Sequence, residues 1–304
     1  MNRVGVEVEP GESFCERHRE YDTCESKARM TIDILFLAKN RLEFTRQALA
    51  ALAANTNWEL VRDLLLWDDQ STDGTFGLVM DWANRFDGLN RDHVFMGRRE
   101  TALGSPAAHM NAYLTTQRPA HIFAKIDSDV IVPPGWLDQC AEVMQAHPEL
   151  DLLGIEPPAS RTPRREGMPR SKTPERDGTA FYRHTDGAGI SQITPACAMP
   201  KGRCGYAPCD SIGGIGLMRT RTFLENEPIR PHSIYGGFTE WQLDRPAVRK
   251  GWICPPLKLF LLDRMPMAPW SELSKEYEAK GWQRPWSKYP AAAAADLWEW
   301  WKPV

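Results

Sequence analysis

Residues 31–75 read TIDILFLAKNRLEFTRQALAALAANTNWELVRDLLLWDDQSTDGT, and the fold is decided here. The opening run, Ile32–Ala38, is apolar at every position but Asp33 and of strand length, as expected of a strand buried on both faces. Over 43–55, Phe44, Leu49 and Leu52 recur at helical spacing. A second apolar run, 64–67, ends in Asp68-Asp69-Gln70-Ser71-Thr72-Asp73-Gly74-Thr75. That polar turn also supplies N-cap residues for a helix over 76–86. Strand, helix and strand in so short a stretch make one β-α-β unit.

The alternation continues outward. Residues 93–96 read as a short strand, 106–116 as a helix and 121–126 as a fourth strand. Pro133-Pro134-Gly135 opens a helix over 136–147, and 152–155 is a fifth strand. The pattern predicts an α/β fold, an open and mostly parallel sheet flanked by helices in the Rossmann-like manner. In such sheets ligands sit beyond the carboxyl ends of the strands. After Glu156 the regularity breaks. Residues 157–180 are rich in Pro, Arg and Thr and read as a long loop, and loops of that length in compact domains are usually functional or disordered. Order returns over 212–219, with a helix at about 238–250 and a strand over 257–262. No internal repeat is present.

Composition narrows the function classes. At 304 residues the chain has room for two domains or one large one. Its 37 Lys+Arg against 40 Asp+Glu leave a net charge of −3, which excludes a wholesale basic nucleic-acid coat but not a local basic patch. No apolar run approaches the ~18–20 residues that span a bilayer. The polar N-terminus holds no signal-peptide core, so a soluble, cytoplasmic protein is expected, in the host-cell cytoplasm if the source is viral. Met30 directly precedes the first strand and is an alternative start; an intact Met1 in the native protein would exclude that. Seven scattered cysteines do not make a disulfide scaffold.

The informative residues are acidic and sit at strand ends. Asp127-Ser128-Asp129 follows the fourth strand directly, and carboxylates at i and i+2 in such a turn can face one ligand. Hard oxygen donors in that arrangement suit Mg²⁺ or Mn²⁺ bound together with a diphosphate. Alone the pattern is common in solvated turns. Here two more polar turns, Lys39-Asn40-Arg41 and the one from Asp68 to Thr75, line up on the same carboxyl edge. Asp73-Gly74 is equally a tight turn, and Ser71 and Thr72 are equally helix caps.

The segments FLAKNRLEFTRQALAAL, LLLWDDQSTDGT and FAKIDSDVIVPPGWL resemble, in order and at normal spacing, the successive blocks of the family 2 glycosyltransferases with a GT-A fold. The likeness covers roughly residues 31–155. Asn111, in Ala107-Ala108-His109-Met110-Asn111, resembles the family's Ala-Arg-Asn, with His109 where Arg is usual. Ala38 replaces the commoner Thr at the first strand end. The resemblance implies transfer from a nucleotide-diphospho-sugar. Asn40, Arg41, Asp68 and Asp69 would hold base and ribose, with Ala38, Ser71 and Asn111 also on the donor side. Asp127 would approach the ribose, and Asp129 would hold Mn²⁺ or Mg²⁺ against the diphosphate, neutralising the charge of the leaving group.

The second half is less similar. Asp210-Ser211-Ile212-Gly213-Gly214 through Arg219 resembles the family's Gly-rich acceptor-side block, so Gly213, Gly214 and Arg219 are acceptor candidates; a tight turn into a strand explains the glycines equally well. Tyr235-Gly236-Gly237-Phe238-Thr239-Glu240-Trp241 precedes the later helix. In inverting members a carboxylate here is the general base, which makes Glu240 the candidate and Asp210 the reserve; a helix N-terminal charge is the competing account of Glu240. Only one carboxylate of the usual pair is evident. After the strand over 257–262 the family often carries a metal-binding His, and Asp263 stands there instead, as an oxygen ligand or a salt-bridged structural residue. The resemblance divides the chain into an extension (1–29), a nucleotide-sugar-binding half (30–156), an acceptor-binding and catalytic half (157–266) with the basic loop 157–180, and a Trp-rich extension (267–304).

Weaker signals remain. Residues 161–176 hold Arg161, Arg164, Arg165, Arg170, Lys172 and Arg176 against two acidic residues. They read as a solvated loop or as a contact to phosphate, and Phe181, Tyr182, Arg183 and His184 beyond them suit stacking on a base or sugar. The acceptor is left open among a glycan, a protein and a modified nucleic acid such as hydroxymethylated viral DNA. Cys197, Cys204 and Cys209, and Cys15, His18 and Cys24, lack paired zinc-ligand spacing. Tryptophans of the tail read mostly as packing, with Trp241 and Trp270 as candidate acceptor-site rings. The alternatives are a nucleotidyltransferase, against which the glycine-free turn after the first strand counts, or a non-catalytic nucleotide-sugar-binding protein of the same fold.

Overall fold

The structure, a computed structural model, describes residues 30–98, 120–155, 181–185, 191–195, 205–208, 215–225, 249–254, 257 and 259–283. At its centre lies β1 (Ile32–Ala38), whose Ile32, Ile34, Leu35, Phe36 and Ala38 are fully buried. Helix α1 (Leu42–Asn55) contributes Phe44, Ala48, Leu49, Ala51 and Leu52 to the core. β2 (Val61–Asp68) and β4 (Ile122–Asp127) flank β1, both parallel to it, and β3 (Val94–Arg98) pairs in parallel outside β2. Because β3 is an edge strand of this sheet, its side chains are only partly covered, and Met96 is exposed. Helix α2 (Thr75–Arg85) buries the narrow stripe Thr75, Val79 and Ala83. Helix α3 (Trp136–Ala146) buries a wider one that includes Trp136, Cys140 and Met144.

The sheet has eight strands in the order β3-β2-β1-β4-β10-β6-β11-β9. Its second half is built by β6 (Leu152–Gly154), β9 (Gly205–Pro208), β10 (Gly216–Arg219) and β11 (Lys250–Cys254). Strands β10 and β9 run against their neighbours and the other six run one way, so the sheet is mostly parallel, as expected. Two small sheets stand apart. β7 (Phe181–Thr185) pairs with β8 (Ser191–Pro195), and β5 (Val130–Ile131) pairs with β12 (Phe260–Leu261). A short helix, α4 (Thr220–Glu225), follows β10.

Some sequence expectations change. The strand expected over 257–262 shrinks to β12, outside the main sheet, and Leu262–Arg264 turns into a 3-10 helix. The end of the helix expected over 238–250 is instead the start of β11, because Lys250, Gly251 and Trp252 pair with Leu152, Leu153 and Gly154. Strands β7, β8, β9 and β11 were not anticipated, being four or five residues long without apolar runs. Trp270 is not an acceptor-site ring. It opens helix α5 (Trp270–Ala279), is 3% exposed, and packs with Phe44, Leu262, Met265 and Tyr277 in one cluster. That cluster docks α5 onto α1, where Tyr277 Oη accepts from Glu43 N (3.4 Å) at the start of α1. The regions expected at 1–29, 106–116 and 157–180 lie outside the described residues.

Candidate functional site

Parallel pairing sets the first site residues side by side. In register, Asp68 lies opposite Ala38 on one side and Arg98 on the other, while Asp127 lies opposite Leu37. The turns that follow these strand ends are tied to one another. Asn40 N donates to Ser71 Oγ (2.7 Å), and Asn40 Oδ1 accepts from Thr72 N (2.8 Å). The Asp73 carboxylate accepts from Leu42 N (2.9 Å), Thr75 N (3.1 Å) and Thr75 Oγ1 (2.6 Å), so one side chain satisfies first-turn donors of α1 and α2. Asp69 N donates to the Ala38 carbonyl (2.9 Å) and Ser71 N to Asp68 Oδ2 (2.9 Å). Asn40, Arg41 and Gln70 all have positive φ, of 52°, 62° and 61°. For side chains with a Cβ each costs roughly 1–3 kcal/mol, and such strain persists only where the surroundings over-determine it.

The third turn, Asp127-Ser128-Asp129, is joined to the first by Arg41. Its Nη1 donates to Asp129 Oδ2 (3.0 Å) and its Nη2 to Ser128 Oγ (3.4 Å). Burial by itself depresses the guanidinium's pKa, but Asp129, Asp263 and Asp127 together outweigh it and raise the group above its ordinary value. Asp263 reaches this neighbourhood because β12 pairs with β5, immediately after the acidic turn, and Leu262 N donates to the Asp129 carbonyl (2.8 Å). Asp127 is ion-paired with Lys125, whose side chain is buried while that of Asp127 remains 34% exposed.

Among the described residues, no group of three or more His, Cys, Asp or Glu side chains is disposed to hold a metal ion. The acidic turn nevertheless has the chemistry of a site shared with a substrate. Its donors are hard carboxylate oxygens, and its demand for positive charge retains a guanidinium only 16% exposed. A divalent cation that brings diphosphate oxygens needs only one or two protein carboxylates.

Several sequence candidates thus converge: Ala38, Asn40, Arg41, Asp68, Asp69 and Ser71 in two interlocked turns, with Asp127, Asp129 and Asp263 around Arg41. Arg41 belongs to the acidic turn rather than to the Asp68-Asp69 turn, where it was expected beside base and ribose. Asp68 and Asp69 are each 1% exposed and already engaged, Asp69 by Lys39 Nζ (3.1 Å). Arg219 is not at this site. It pairs in register with Ile122, the first residue of β4, and so lies on the opposite edge of the sheet. There it donates to the carbonyls of Leu150 (2.8 Å), Met144 (2.6 Å) and His147 (3.1 Å), closing the carboxyl end of α3. Asn111, Asp210, Gly213, Gly214, Glu240 and Trp241 lie outside the described residues.

Two cations were missed. Arg98 Nη2 donates to the Ser71 carbonyl (2.7 Å), Nε lies 3.3 Å from Asp68 Oδ2, and the guanidinium stands 4.8 Å from the Phe76 ring centroid. Lys125 is the other. A lone cation inside the apolar strand Ile122–Asp127, and one closing β3 on the carboxyl edge, were the available signals.

No helix among the described residues is long and apolar enough to cross a membrane. No curated protein matches the sequence. Solved structures that resemble this chain include S. aureus TarS 1-349, at 17% identity and a TM-score of 0.44 over 73% of this chain and 58% of that one. Another is the mannosyltransferase PcManGT from Pyrobaculum calidifontis, solved with GDP-Man and Mn²⁺, at 18% identity and a TM-score of 0.37 over 42% of this chain and 36% of that one. GalNAc-T7, solved with UDP, GalNAc and Mn²⁺, shows 10% identity and a TM-score of 0.49 over 74% of this chain and 42% of that one. In each case the chain spans less than two thirds of the other protein's length. The family model described as Glycosyl transferase family 2 matches residues 33–201, from β1 through the acidic turn and beyond β8. With more than half its length matched, and with the interlocked carboxyl-edge turns inside the matched region, the chain belongs to glycosyl transferase family 2.

Proposed function

We propose that this protein transfers a sugar from a nucleotide-diphospho-sugar to an acceptor hydroxyl, with a divalent cation and with inversion at the anomeric carbon. The observation that carries the reading is the set of three polar turns, tied together at the carboxyl edge of a mostly parallel sheet, with Asp127, Asp129 and Asp263 acting on one cationic group. Such an edge is where open α/β sheets take their ligands. Family membership supports the donor class.

Asp127 and Asp129, with Asp263, would hold Mn²⁺ or Mg²⁺. When bound, that cation supplies Lewis-acid neutralisation of the diphosphate as it leaves. Asp68 and Asp69 are assigned to base and ribose, with Ala38, Asn40 and Ser71 shaping the turns around them, and Asn111 belongs to the donor side by its place in the sequence. Glu240 is assigned the proton of the acceptor hydroxyl: as the acceptor oxygen bonds to the anomeric carbon, the nucleoside diphosphate departs and Glu240 takes the proton. Asp210 is the alternative base, and Gly213, Gly214 and Trp241 belong to the acceptor side. The basic stretch over 161–176 favours an anionic acceptor, and a modified nucleic acid such as hydroxymethylated viral DNA is the acceptor of that kind to screen beside glycans and proteins.

Thermal shift with UDP, GDP, CDP, TDP and ADP, each with and without Mn²⁺, tests the donor site. Stabilisation by one nucleotide only in the presence of Mn²⁺ is the expected result and names the donor class. No shift with any of them overturns the reading.

A further inference from the structure

Arg41 is a cation that the acidic turn already holds. Its guanidinium lies 3.0 Å from Asp129 and 3.4 Å from Ser128 Oγ, and its side chain is 16% exposed. Asp127, itself ion-paired with Lys125, and Asp263 add to the negative field at the same charge. The backbone is built to hold it there. Asn40 and Arg41 are consecutive left-handed residues, at φ 52° and 62°. Hydrogen bonds from Asn40 N to Ser71 Oγ and from Leu42 N to Asp73 pin the chain on either side. Left-handed backbone at a side chain with a Cβ is disfavoured, so this aim of Arg41 at the carboxylates is specified by the fold.

A guanidinium on a carboxylate disfavours a divalent cation on the same group, because the two cations repel each other and compete for its charge. Metal binding is therefore weakened for as long as Arg41 keeps Asp129. A guanidinium released into so enclosed a place needs another anion, and its planar fork matches phosphate oxygens in a bidentate manner. The anion that arrives with the metal in this reading is the diphosphate.

We infer that Arg41 is the resident counter-ion of Asp129 in the acidic turn and makes metal binding there conditional on a nucleoside diphosphate, which takes the guanidinium as the metal takes the carboxylate. The inference rests on the donor-site reading above and adds an order to it: metal alone binds weakly, and metal with nucleotide binds as a coupled pair. By linkage the coupling is reciprocal, so Mn²⁺ strengthens nucleotide binding by the same factor.

The test is Mn²⁺ binding by the full chain, read from the electron paramagnetic resonance signal of free Mn²⁺. It is run with and without the nucleoside diphosphate that gives the largest thermal shift. Wild type is expected to bind Mn²⁺ at least tenfold more tightly with nucleotide than without. Arg41→Asn, whose short polar side chain tolerates left-handed backbone, is expected to bind Mn²⁺ alone at least tenfold more tightly than wild type. Arg41→Lys keeps the charge and is expected to stay within threefold of wild type without nucleotide. Circular dichroism melts establish that each variant is folded, and Arg41→Gln replaces Arg41→Asn if the latter does not melt cooperatively. Equal or weaker binding of Mn²⁺ alone by the neutral variant overturns the inference, as does equally tight binding by Arg41→Lys and Arg41→Asn. Absence of Mn²⁺ binding in every protein, even with nucleotide, instead overturns the donor-site reading itself.

Discussion

At the amino ends of the central strands, opposite the candidate site, Asp33 is buried to 1% exposure in β1. Its Oδ2 accepts from Arg62 Nη2 (2.8 Å) and from Ala120 N (2.8 Å). Arg62 also bridges to Asp63 Oδ2 (2.9 Å), and Asp63 Oδ1 lies 2.8 Å from His93 Nδ1. Burial pushes the Asp33 carboxyl up from 3.8 to about 7, against the pull of Arg62 and the Ala120 amide and with a smaller push from Asp63. Between those two values the folded state holds a proton that the unfolded state has lost. Stability from this group is therefore fully present below about pH 4, falls as pH rises, and levels off above about pH 7. At ~1.4 kcal/mol per unit, a rise from 3.8 to about 7 amounts to a loss on the order of 4 kcal/mol across that window. Asp33→Asn, neutral at every pH, removes this dependence. The assay is urea unfolding followed by circular dichroism between pH 4 and pH 8, with the difference between variant and wild type taken at each pH so that common titrations cancel. The stability of Asp33→Asn relative to wild type should rise with pH by a few kcal/mol and reach its plateau near pH 7. A difference that is flat with pH refutes the reasoning and means that Arg62 and the Ala120 amide offset burial, and one that falls means that they outweigh it.

Three further changes address the site and its support. Asp129→Asn leaves an oxygen for Arg41 Nη1 but removes a charge, and should abolish Mn²⁺-dependent nucleotide binding in calorimetry with little change in melting temperature; undiminished binding contradicts the role given to Asp129. Glu240→Gln should leave nucleotide binding intact while slowing sugar transfer by ~10²–10⁴, the usual cost of losing a general base; unchanged turnover shifts attention to Asp210. Trp270→Ala removes the ring that packs against Phe44 and should cost ~3–5 kcal/mol in denaturant unfolding; a loss below ~1 kcal/mol would mean that α5 is not part of the stabilising core.

Much of the first half of the fold was legible along the chain. Ile32–Ala38 is apolar at every position except Asp33, which marks a strand covered on both faces, and the spacing of Phe44, Leu49 and Leu52 marks the helix after it. Strand direction then places the Asp68 and Asp127 turns on one edge without any knowledge of side-chain contacts. The partners were not legible. Arg41 meets Asp129 across 88 positions of sequence, and it does so only because β1 and β4 lie side by side and the turn at Asn40 is left-handed. Asp263, offered by the resemblance as an oxygen ligand or a salt-bridged residue, joins them through a two-residue strand at Phe260 that pairs with Val130 and Ile131, too short a signal to stand out in a sequence. Arg219 looked like a ligand residue from its neighbours, but β10 runs against β4 and delivers it to the far edge of the sheet. Trp270, a candidate acceptor-site ring by sequence, is buried where α5 packs on α1. Hydrophobic periodicity is a property of residues near one another in the chain, so this sequence by itself determined its central strands and helices and the edge on which the turns lie. Which charge meets which depends on strand order and direction, and these are decided only when distant segments pair.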